Sequence, residues 1–356
     1  MSSRRIANPE MVTLGRQSRG LTQARLASRL SYSQGLLSKV EHGVVPASDE
    51  LVDQLSDALH YPVSFFYRPE HLAGSDSICF HHRKRASMPA GLLATIEAQM
   101  YLTQLQVRSL LDELEISAPN SFVTIDPDDH EGGPRDVGRL LRAAWKVPRG
   151  PIPDLVRVFE AAGGVVVFSD FGTPKLDGMS CWPKGCPPLF FINSRMPVDR
   201  ARHTIAHELG HLVMHFLPPD GNPETQADLF AQEFLMPSDE VIHELRHIRF
   251  RELATMKARW RVSMASVVMA AKMTGALPEA QVRSLFVQLS RAGYRTSEPV
   301  RLSDEVPRLL DKAIEFHQAR HGYTVEELAA MTDLWPDEFR SRYLARDGAP
   351  ALRVLS

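Results

Sequence analysis

The chain of 356 residues lacks several features that define whole classes of protein. It contains three cysteines, Cys79, Cys181 and Cys186, which are too few for a disulfide framework. No run of roughly eighteen apolar residues is present, so we expect no membrane-spanning helix. The N-terminus lacks the apolar core of a signal peptide. We therefore expect a protein of the reducing cytoplasm.

Acidic side chains are scarce at the start of the chain. Residues 1–40 hold seven arginine or lysine side chains against a single glutamate, Glu10, for a net charge of +6. The whole chain nevertheless has a formal net charge of −2. A basic segment on an otherwise acidic chain is typical of a surface that binds phosphate groups.

Apolar residues recur at helical spacing through the first seventy residues. Thr22 has the position of an N-cap for a helix that runs to Leu30. Residues 31–33 then predict a turn, and residues 34–41 predict a second helix. This spacing is that of a helix-turn-helix motif, whose second helix enters the major groove of DNA.

The polar side chains of this motif suit contacts with DNA. Glutamine and serine on the second helix can read base edges, while lysine can reach a phosphate or a guanine. Side chains at the start of the first helix suit the DNA backbone. The residues that we expect at DNA are Gln23, Arg25, Gln34, Gly35, Ser38 and Lys39. A helical module that binds proteins instead is the alternative.

The most specific motif is the HExxH sequence His207-Glu208-Leu209-Gly210-His211, which lies in a stretch that predicts an amphipathic helix. Residues four apart lie on one face of a helix, so both imidazoles can reach one cation. Zinc accepts nitrogen ligands in tetrahedral geometry, and we expect Zn²⁺ as the cofactor. Glu208, one step round the helix, can act as general base on a water molecule at the metal.

A catalytic zinc site usually has a third protein ligand, which must come from another segment. Glu224 and Asp228 have the spacing that places both on one face of a second helix. Prolines and a glycine between His211 and Glu224 allow the chain to reverse between the two helices. We predict that Glu224 is the third ligand and that Asp228 accepts the ring N–H of a ligating histidine.

Other polar residues near the motif are weaker candidates. Glu233 lies inside an apolar run, and His215 does not match the longer zinc motif in which a glycine precedes a third histidine. We expect His215 to lie beside the site or at the surface. No residue stands out as an oxyanion donor. Arg200, Arg202 and His203 are the candidates. The lack of an evident oxyanion donor favours narrow over general proteolysis.

Two parts of the chain resemble known families. LTQARLASRL and GLLSKVEHG resemble the Xre/Cro family of helix-turn-helix regulators. From about Leu140 to Tyr294 the chain resembles the ImmA/IrrE family of metallopeptidases, through GPIPDLVRVFEAAGGVVV, DGMSCWPKG, FFINSRMPVDRARHTIAHELGHLVMH and ETQADLFAQEFLMP. The second resemblance is specific, because HELGH, ExxAD and FLMP occur in the expected order.

The resemblance to ImmA/IrrE implies a fold similar to that of gluzincins, with a glutamate ligand on the helix after HExxH. It implies that His207, His211 and Glu224 are the ligands and that Glu208 is the base. It also implies a substrate, because the family is associated with cleaving helix-turn-helix repressors of phage, mobile-element or stress genes. Xre-type readers usually bind paired half-sites, which implies a homodimer.

The remaining patterns predict how these parts are joined. A long amphipathic helix from Pro89 to about Glu115 could brace two domains or form a dimer seam. Residues 165–168 and 189–193 predict buried strands. We predict a multidomain, mainly α protein with a small sheet. Its parts are an N-terminal all-α helix-turn-helix domain (1–70), a helical connector and linker (71–134), a central α+β gluzincin-like peptidase domain (135–296) and a C-terminal helical unit (297–356).

These features favour a zinc-dependent regulatory endopeptidase that cleaves a specific protein, a helix-turn-helix repressor, and binds DNA to control transcription. One alternative is a DNA-binding regulator whose peptidase-like domain senses a signal or mediates dimerisation without proteolysis. A further alternative is a component of a toxin–antitoxin or phage-encoded module. The expected partners are DNA and a protein substrate, and no membrane.

Overall fold

The computed structural model describes residues 5–69, 88–112, 114, 121–183, 185–215 and 221–344, together with the backbone of residues 77–80. Within these residues the protein is mainly α-helical and has one small sheet, as the sequence predicts. None of the described helices is long and apolar enough to cross a lipid bilayer. The predicted helix end near Glu115, part of the predicted linker and residues 345–356 lie outside the described residues.

The first four helices pack around one core and contain the predicted helix-turn-helix motif. They are α1 (Pro9–Ser18), α2 (Gln23–Arg29), α3 (Gln34–Glu41) and α4 (Asp49–Leu59), followed by a 3₁₀ helix at Val63–Tyr67. Hydroxyl caps set where the motif's helices begin. Thr22 accepts a hydrogen bond from the Arg25 N–H at 3.2 Å, and Ser33 accepts one from the Leu36 N–H at 3.2 Å.

The long helix α5 (Ala90–Leu111) lies between two cores. One face, which includes Leu102 and Leu105, packs into the core of the helix-turn-helix domain. The other face, which includes Ile96 and Met100, packs against the sheet. Of the two roles that the sequence left open, α5 therefore has that of a brace between domains.

The sheet contains four strands in the order β1-β3-β4-β2, so β1 and β2 form its edges. The strands are β1 (Ser77–Phe80), β2 (Val165–Ser169), β3 (Gly178–Pro183) and β4 (Leu189–Asn193). β2 and β4 are parallel, and the other pairs are antiparallel. The predicted strands at 165–168 and 189–193 are confirmed. β1 and β3 were not predicted. In β3, Gly178 and Pro183 have low strand propensity.

The sheet is covered on both faces, and the central helices complete the layer opposite α5. Val166, Phe190 and Ile192 point into the main core beside α8, whereas Val167 and Phe191 point toward α5. The helices of this part are α6 (Pro134–Ala144), α7 (Leu155–Ala161), α8 (Val198–Met214), α9 (Pro223–Leu235), α10 (Ser238–Leu245), α11 (Leu253–Trp260), α12 (Met264–Met273) and α13 (Glu279–Arg291). This arrangement places α8 directly against β3 and β4.

The C-terminal helices return to the N-terminal domain. They are α14 (Leu309–Phe316), a π-helical turn at His317–His321, α15 (Val325–Met331), α16 (Pro336–Phe339) and a π-helical turn at Arg340–Leu344. Leu328, Leu334 and Phe339 lie in the core formed by α1–α4 and α5. Thr324 is the N-cap of α15, and Leu328 and Ala329 are core positions.

The predicted domain boundaries stay predictions. Packing contacts nevertheless cross two of them. Phe122, within the predicted linker, packs into the central core. Glu305, within the predicted C-terminal unit, accepts hydrogen bonds from the Leu155 N–H and from buried Arg202 of the central part. Segments on both sides of the central domain therefore contribute to its stability.

Ion pairs hold the C-terminal helices on the N-terminal domain. Arg19 and Glu338 are joined at 2.7 Å, and Arg68 and Asp333 at 2.5 Å. Arg19 also lies 4.2 Å above the ring centre of Tyr61. Burial raises the pKa of Glu338, but the hydrogen bond and charge of Arg19 outweigh it and hold that pKa below its usual range.

Replacing Glu338 by glutamine should destabilise the body formed by the N-terminal domain and the C-terminal helices. The Glu338 side chain is 15% exposed, so we expect a loss of about 2 kcal/mol near neutral pH. Because its pKa is lower in the folded protein, its contribution is complete above the unfolded pKa of roughly 4.3 and is lost as the pH falls through the folded value. Urea unfolding of wild type and Glu338→Gln between neutral and acidic pH measures this difference.

The matched control is Glu326→Gln in the same unit. Glu326 pairs with Arg340 at 2.6 Å, but both side chains are more than half exposed, so we expect no measurable destabilisation. Equal unfolding curves for wild type and Glu338→Gln at neutral pH would contradict a stabilising role of the Arg19–Glu338 pair.

Candidate metal centre and DNA-binding face

Helix α8 carries both histidines of the HExxH motif on one face. It begins after Pro197 and continues to Met214, so the motif lies well inside regular helix. The Nε2 atoms of His207 and His211 are 3.1 Å apart. The spacing of four residues therefore brings both imidazoles to one point, as the sequence predicts.

Helix α9 brings Glu224 to the same point. Asn222 caps α9 and accepts a hydrogen bond from the Glu224 N–H at 3.0 Å, which places Glu224 in the first turn. Its carboxylate oxygens lie 3.6 Å from His207 Nε2 and 3.7 Å from His211 Nε2. All three potential ligand atoms lie within 4.8 Å of one another.

These separations fit a small tetrahedral cation. Ligand atoms at 2.0–2.2 Å from a tetrahedral zinc ion lie roughly 3.3–3.6 Å from one another. The spacings of 3.1, 3.6 and 3.7 Å among His207, His211 and Glu224 are close to that range. Two imidazoles and one carboxylate are also a donor set that zinc accepts in catalytic sites.

Asp228 orients His207. Its carboxylate accepts from His207 Nδ1 at 2.8 Å, so Nε2 faces the cluster. Burial lowers the pKa of His207, but hydrogen bonds with Asp228 and Glu224 and the charge of Glu208 outweigh it and raise that pKa to about 9. A metal ion that binds at His207 must therefore displace a proton.

A second chain of hydrogen bonds orients His211. His211 Nδ1 lies 2.8 Å from His215 Nδ1, and His215 Nε2 lies 2.8 Å from Gln226 Oε1. The amide oxygen of Gln226 accepts from His215, whose Nδ1 then accepts from His211. This order of donors leaves the lone pair of His211 Nε2 directed at the cluster. His215 thus lies beside the site, one of the two places expected for it.

Glu208 is positioned by the sheet. It is 2% exposed, and one of its carboxylate oxygens accepts a hydrogen bond from the Ser180 hydroxyl at 2.7 Å. Ser180 lies in the middle of β3, so the strand fixes the orientation of the carboxylate. Neither Ser180 nor Gln226 was identified from the sequence. Because β3 was not predicted as a strand, no pattern in the sequence pointed to Ser180.

The remaining candidates of the sequence have other partners. Glu233 is buried and accepts hydrogen bonds from Arg139 and from the backbone and hydroxyl of Ser238. Arg202 is 1% exposed and donates to Glu305 and the Ile152 carbonyl, so it is not an oxyanion donor. This corrects one of the three expectations.

The other two oxyanion candidates lie nearer the surface. Arg200 donates to both carboxylate oxygens of Asp177. His203 lies one turn before His207, with ring centres 6.2 Å apart. Of the three candidates, His203 is therefore the one that the helix places beside the cluster.

The helix-turn-helix motif presents its predicted contact residues on the surface. Gln34, Gly35 and Lys39 on α3 are exposed, and Ser38 is half-buried. Arg25 on α2 is exposed as well. Gln34 and Gly35 lie at the start of the second helix of the motif, which is where base contacts are made in such domains, and Lys39 lies in its last turn.

Gln23 has a partner within the domain. Its amide donates to Glu41 at 2.7 Å, and Glu41 also accepts from Arg16 at 2.6 Å. The side chain is half-buried at the start of α2. Its contact with a DNA phosphate would therefore use the second amide hydrogen.

Comparison with protein families assigns both parts of the chain. Residues 159–272 match the IrrE N-terminal-like domain of the Peptidase M78 family. Residues 14–63 match a helix-turn-helix domain family. The chain carries both domains. The M78-type match includes α8 and α9, and the resemblance to ImmA/IrrE proteins and to a helix-turn-helix domain is thereby confirmed. No curated protein matches the chain.

The hydrogen bonds from His211 through His215 to Gln226 predict how a substitution of His215 changes zinc affinity. His215→Ala would leave the buried Nδ1–H of His211 without its acceptor, so we expect zinc affinity to fall roughly 10- to 100-fold. Competition with a chromophoric chelator measures this affinity. His243→Ala, an exposed histidine on α10, is the matched control. Equal affinities for the two variants would show that His215 does not orient the ligand.

Proposed function

We propose that the chain is a zinc-dependent endopeptidase that acts in transcription control. The observation that carries the proposal is the joint arrangement of His207, His211 and Glu224 around one point, with Glu208 buried alongside. Asp228 and His215 orient the two imidazoles independently, which a chance cluster of polar residues does not require. His207, His211 and Glu224 are the proposed ligands.

The residues of the chain divide the proposed reaction between them. Bound zinc would polarise the scissile carbonyl and lower the pKa of a water molecule to about 7. Glu208 would take a proton from the attacking water and deliver it to the leaving amine. Ser180, which donates to Glu208 Oε2, would hold the carboxylate in place during both transfers.

The proposed substrate is a specific protein, a helix-turn-helix repressor. The helix-turn-helix domain of the same chain supports this substrate, because it would bring the peptidase to DNA where such repressors are bound. The burial of Glu208 supports narrow specificity, since a reactive carboxylate at 2% exposure is closed to folded proteins in general. The cytoplasm is the compartment that fits this function.

The proposed DNA reader is the polar face of α3. Gln34, Gly35 and Ser38 would meet base edges, while Arg25 and Lys39 would contact phosphates. Gln23 would join them at the DNA backbone. We propose that the protein binds paired half-sites as a homodimer.

Glu208→Gln tests the peptidase proposal. The variant should retain about one zinc ion per chain, because the three ligands are unchanged. Its cleavage rate should fall roughly 10²- to 10⁴-fold, because glutamine cannot accept the proton. Elemental analysis gives the metal content, and terminal-peptide proteomics of cells that produce either protein gives the cleavage sites.

Two variants complete this test. Glu279→Gln, an exposed residue at the start of α13, should behave as wild type. Glu224→Ala should lose zinc. Identical sets of new protein termini in cells with wild type and Glu208→Gln would exclude proteolysis and favour a regulator that uses the M78-type domain as a sensor.

Arg25→Ala combined with Lys39→Ala tests the DNA-binding face. If each side chain neutralises one phosphate, the slope of log K against log salt concentration should become shallower by about 2. Fluorescence anisotropy with a labelled duplex of random sequence over a salt series measures this slope. Arg283→Ala with Arg291→Ala removes two exposed cations from α13 and should change nothing. Unchanged binding of the first variant would rule out this face.

A further inference from the structure

The edge strand β1 does not come from the M78-type domain itself. It lies in the connector that follows the helix-turn-helix domain, and in sequence only residues 70–76 separate it from the end of that domain. β1 pairs antiparallel with β3, from Ser77 opposite Pro183 to Phe80 opposite Ser180. A four-residue strand at the edge of a sheet is held by few backbone hydrogen bonds, so it can exchange with another strand.

The edge that β1 covers borders the proposed catalytic site. Ser180, opposite Phe80 in the ladder, donates a hydrogen bond to Glu208 at 2.7 Å. Residues directly opposite in an antiparallel pair have Cα atoms roughly 4.5–5.5 Å apart. β1 also lies against α8, the helix that carries His207, Glu208 and His211. Its backbone therefore occupies space beside the base.

An extended polypeptide that reaches Glu208 needs partners for its own backbone. The edge of β3 offers a row of N–H and C=O groups, and pairing with such an edge is a general way to bind extended peptides. In this structure residues 77–80 occupy that edge. A substrate segment and β1 would therefore compete for the same hydrogen bonds.

We propose that β1 is an intramolecular strand that occupies the site for an extended segment of the protein substrate, and that the site opens when β1 leaves β3. This inference rests on the proposed peptidase function. The apparent affinity for a substrate segment is then the intrinsic affinity multiplied by the fraction of molecules in which β1 has left the edge.

Proline substitution tests the exchange of strands. Successive N–H groups of a strand point to opposite sides, so Ile78→Pro with Cys79→Pro removes one donor to β3 whichever way the strand is turned. Ile78→Ala with Cys79→Ala keeps both N–H groups and is the matched control. Both pairs are made in the full chain with Glu208→Gln, which prevents cleavage during binding measurements.

The probe is a fluorescein-labelled peptide with the sequence of residues 74–80 and serine at the position of Cys79. Fluorescence anisotropy should show that the proline variant binds the peptide with an affinity about tenfold higher, or more, than that of the alanine variant. Hydrogen exchange of residues 178–183 should be faster in the proline variant and slow again when peptide is added. Equal peptide affinities, or peptide binding without protection of β3, would overturn the proposal.

Further measurements separate this proposal from the proposed function. With Glu208 intact, the proline variant should cleave β-casein faster than the alanine variant. Faster cleavage supports the proposal, and equal rates despite peptide binding would overturn the inhibitory role of β1. Casein left intact by every variant would contradict the opening of the site to extended segments in general, while the peptidase function would still be decided by the protein termini found with wild type and Glu208→Gln. If the proline pair unfolds, as monitored by exchange in α8, the single variants Ile78→Pro and Cys79→Pro replace it, since one of the two removes a donor to β3.

Discussion

The close packing of α8 against α9 is the constraint on which the rest of the site depends. A Cβ atom at Gly210 would lie 3.0 Å from the ring of Phe230 and 3.3 Å from the Cα of Ala227, closer than packed atoms normally approach. Glycine lets the two helices touch at this point, inside the HExxH motif itself. Because α9 lies so near, Glu224 in its first turn reaches the histidines of α8. Asp228 reaches His207, and Gln226 reaches His215, which in turn contacts His211.

The sheet connects this site to the rest of the molecule. Ser180 on β3 faces Glu208, while Cys181, the next residue, lies in the cluster that α5 covers. The opposite face of α5 packs into the helix-turn-helix core, which the C-terminal helices also enter. One strand thus has the base on one face and the interdomain helix on the other, so a displacement of α5 or of the edge strand β1 would act on the surroundings of Glu208.

Much of the site could be predicted because its key residues are close in sequence and the helix period relates them. His207, Glu208 and His211 need only one helix, and Glu224 with Asp228 needs only the next. Ser180 and Gln226 could not be found in this way. Ser180 reaches Glu208 only because β3 packs on α8, and the role of Gln226 depends on the rotamer of His215. Likewise, the sequence made Arg202 a candidate oxyanion donor, but its side chain is buried against Glu305, about one hundred residues later in the chain.

The sequence by itself determined the helix-turn-helix motif, the HExxH helix, the two central strands and the identity of the three proposed ligands, because hydroxyl caps and local periodicity specify helices and strands. Only the tertiary structure decided that α5 braces two domains, that the C-terminal helices join the N-terminal core and that β1 covers the edge of β3. The physical reason is that these pairings join segments far apart in the chain. They are selected by the apolar face or strand edge that each segment finds in the folded chain. Local periodicity marks such a face but does not identify its partner.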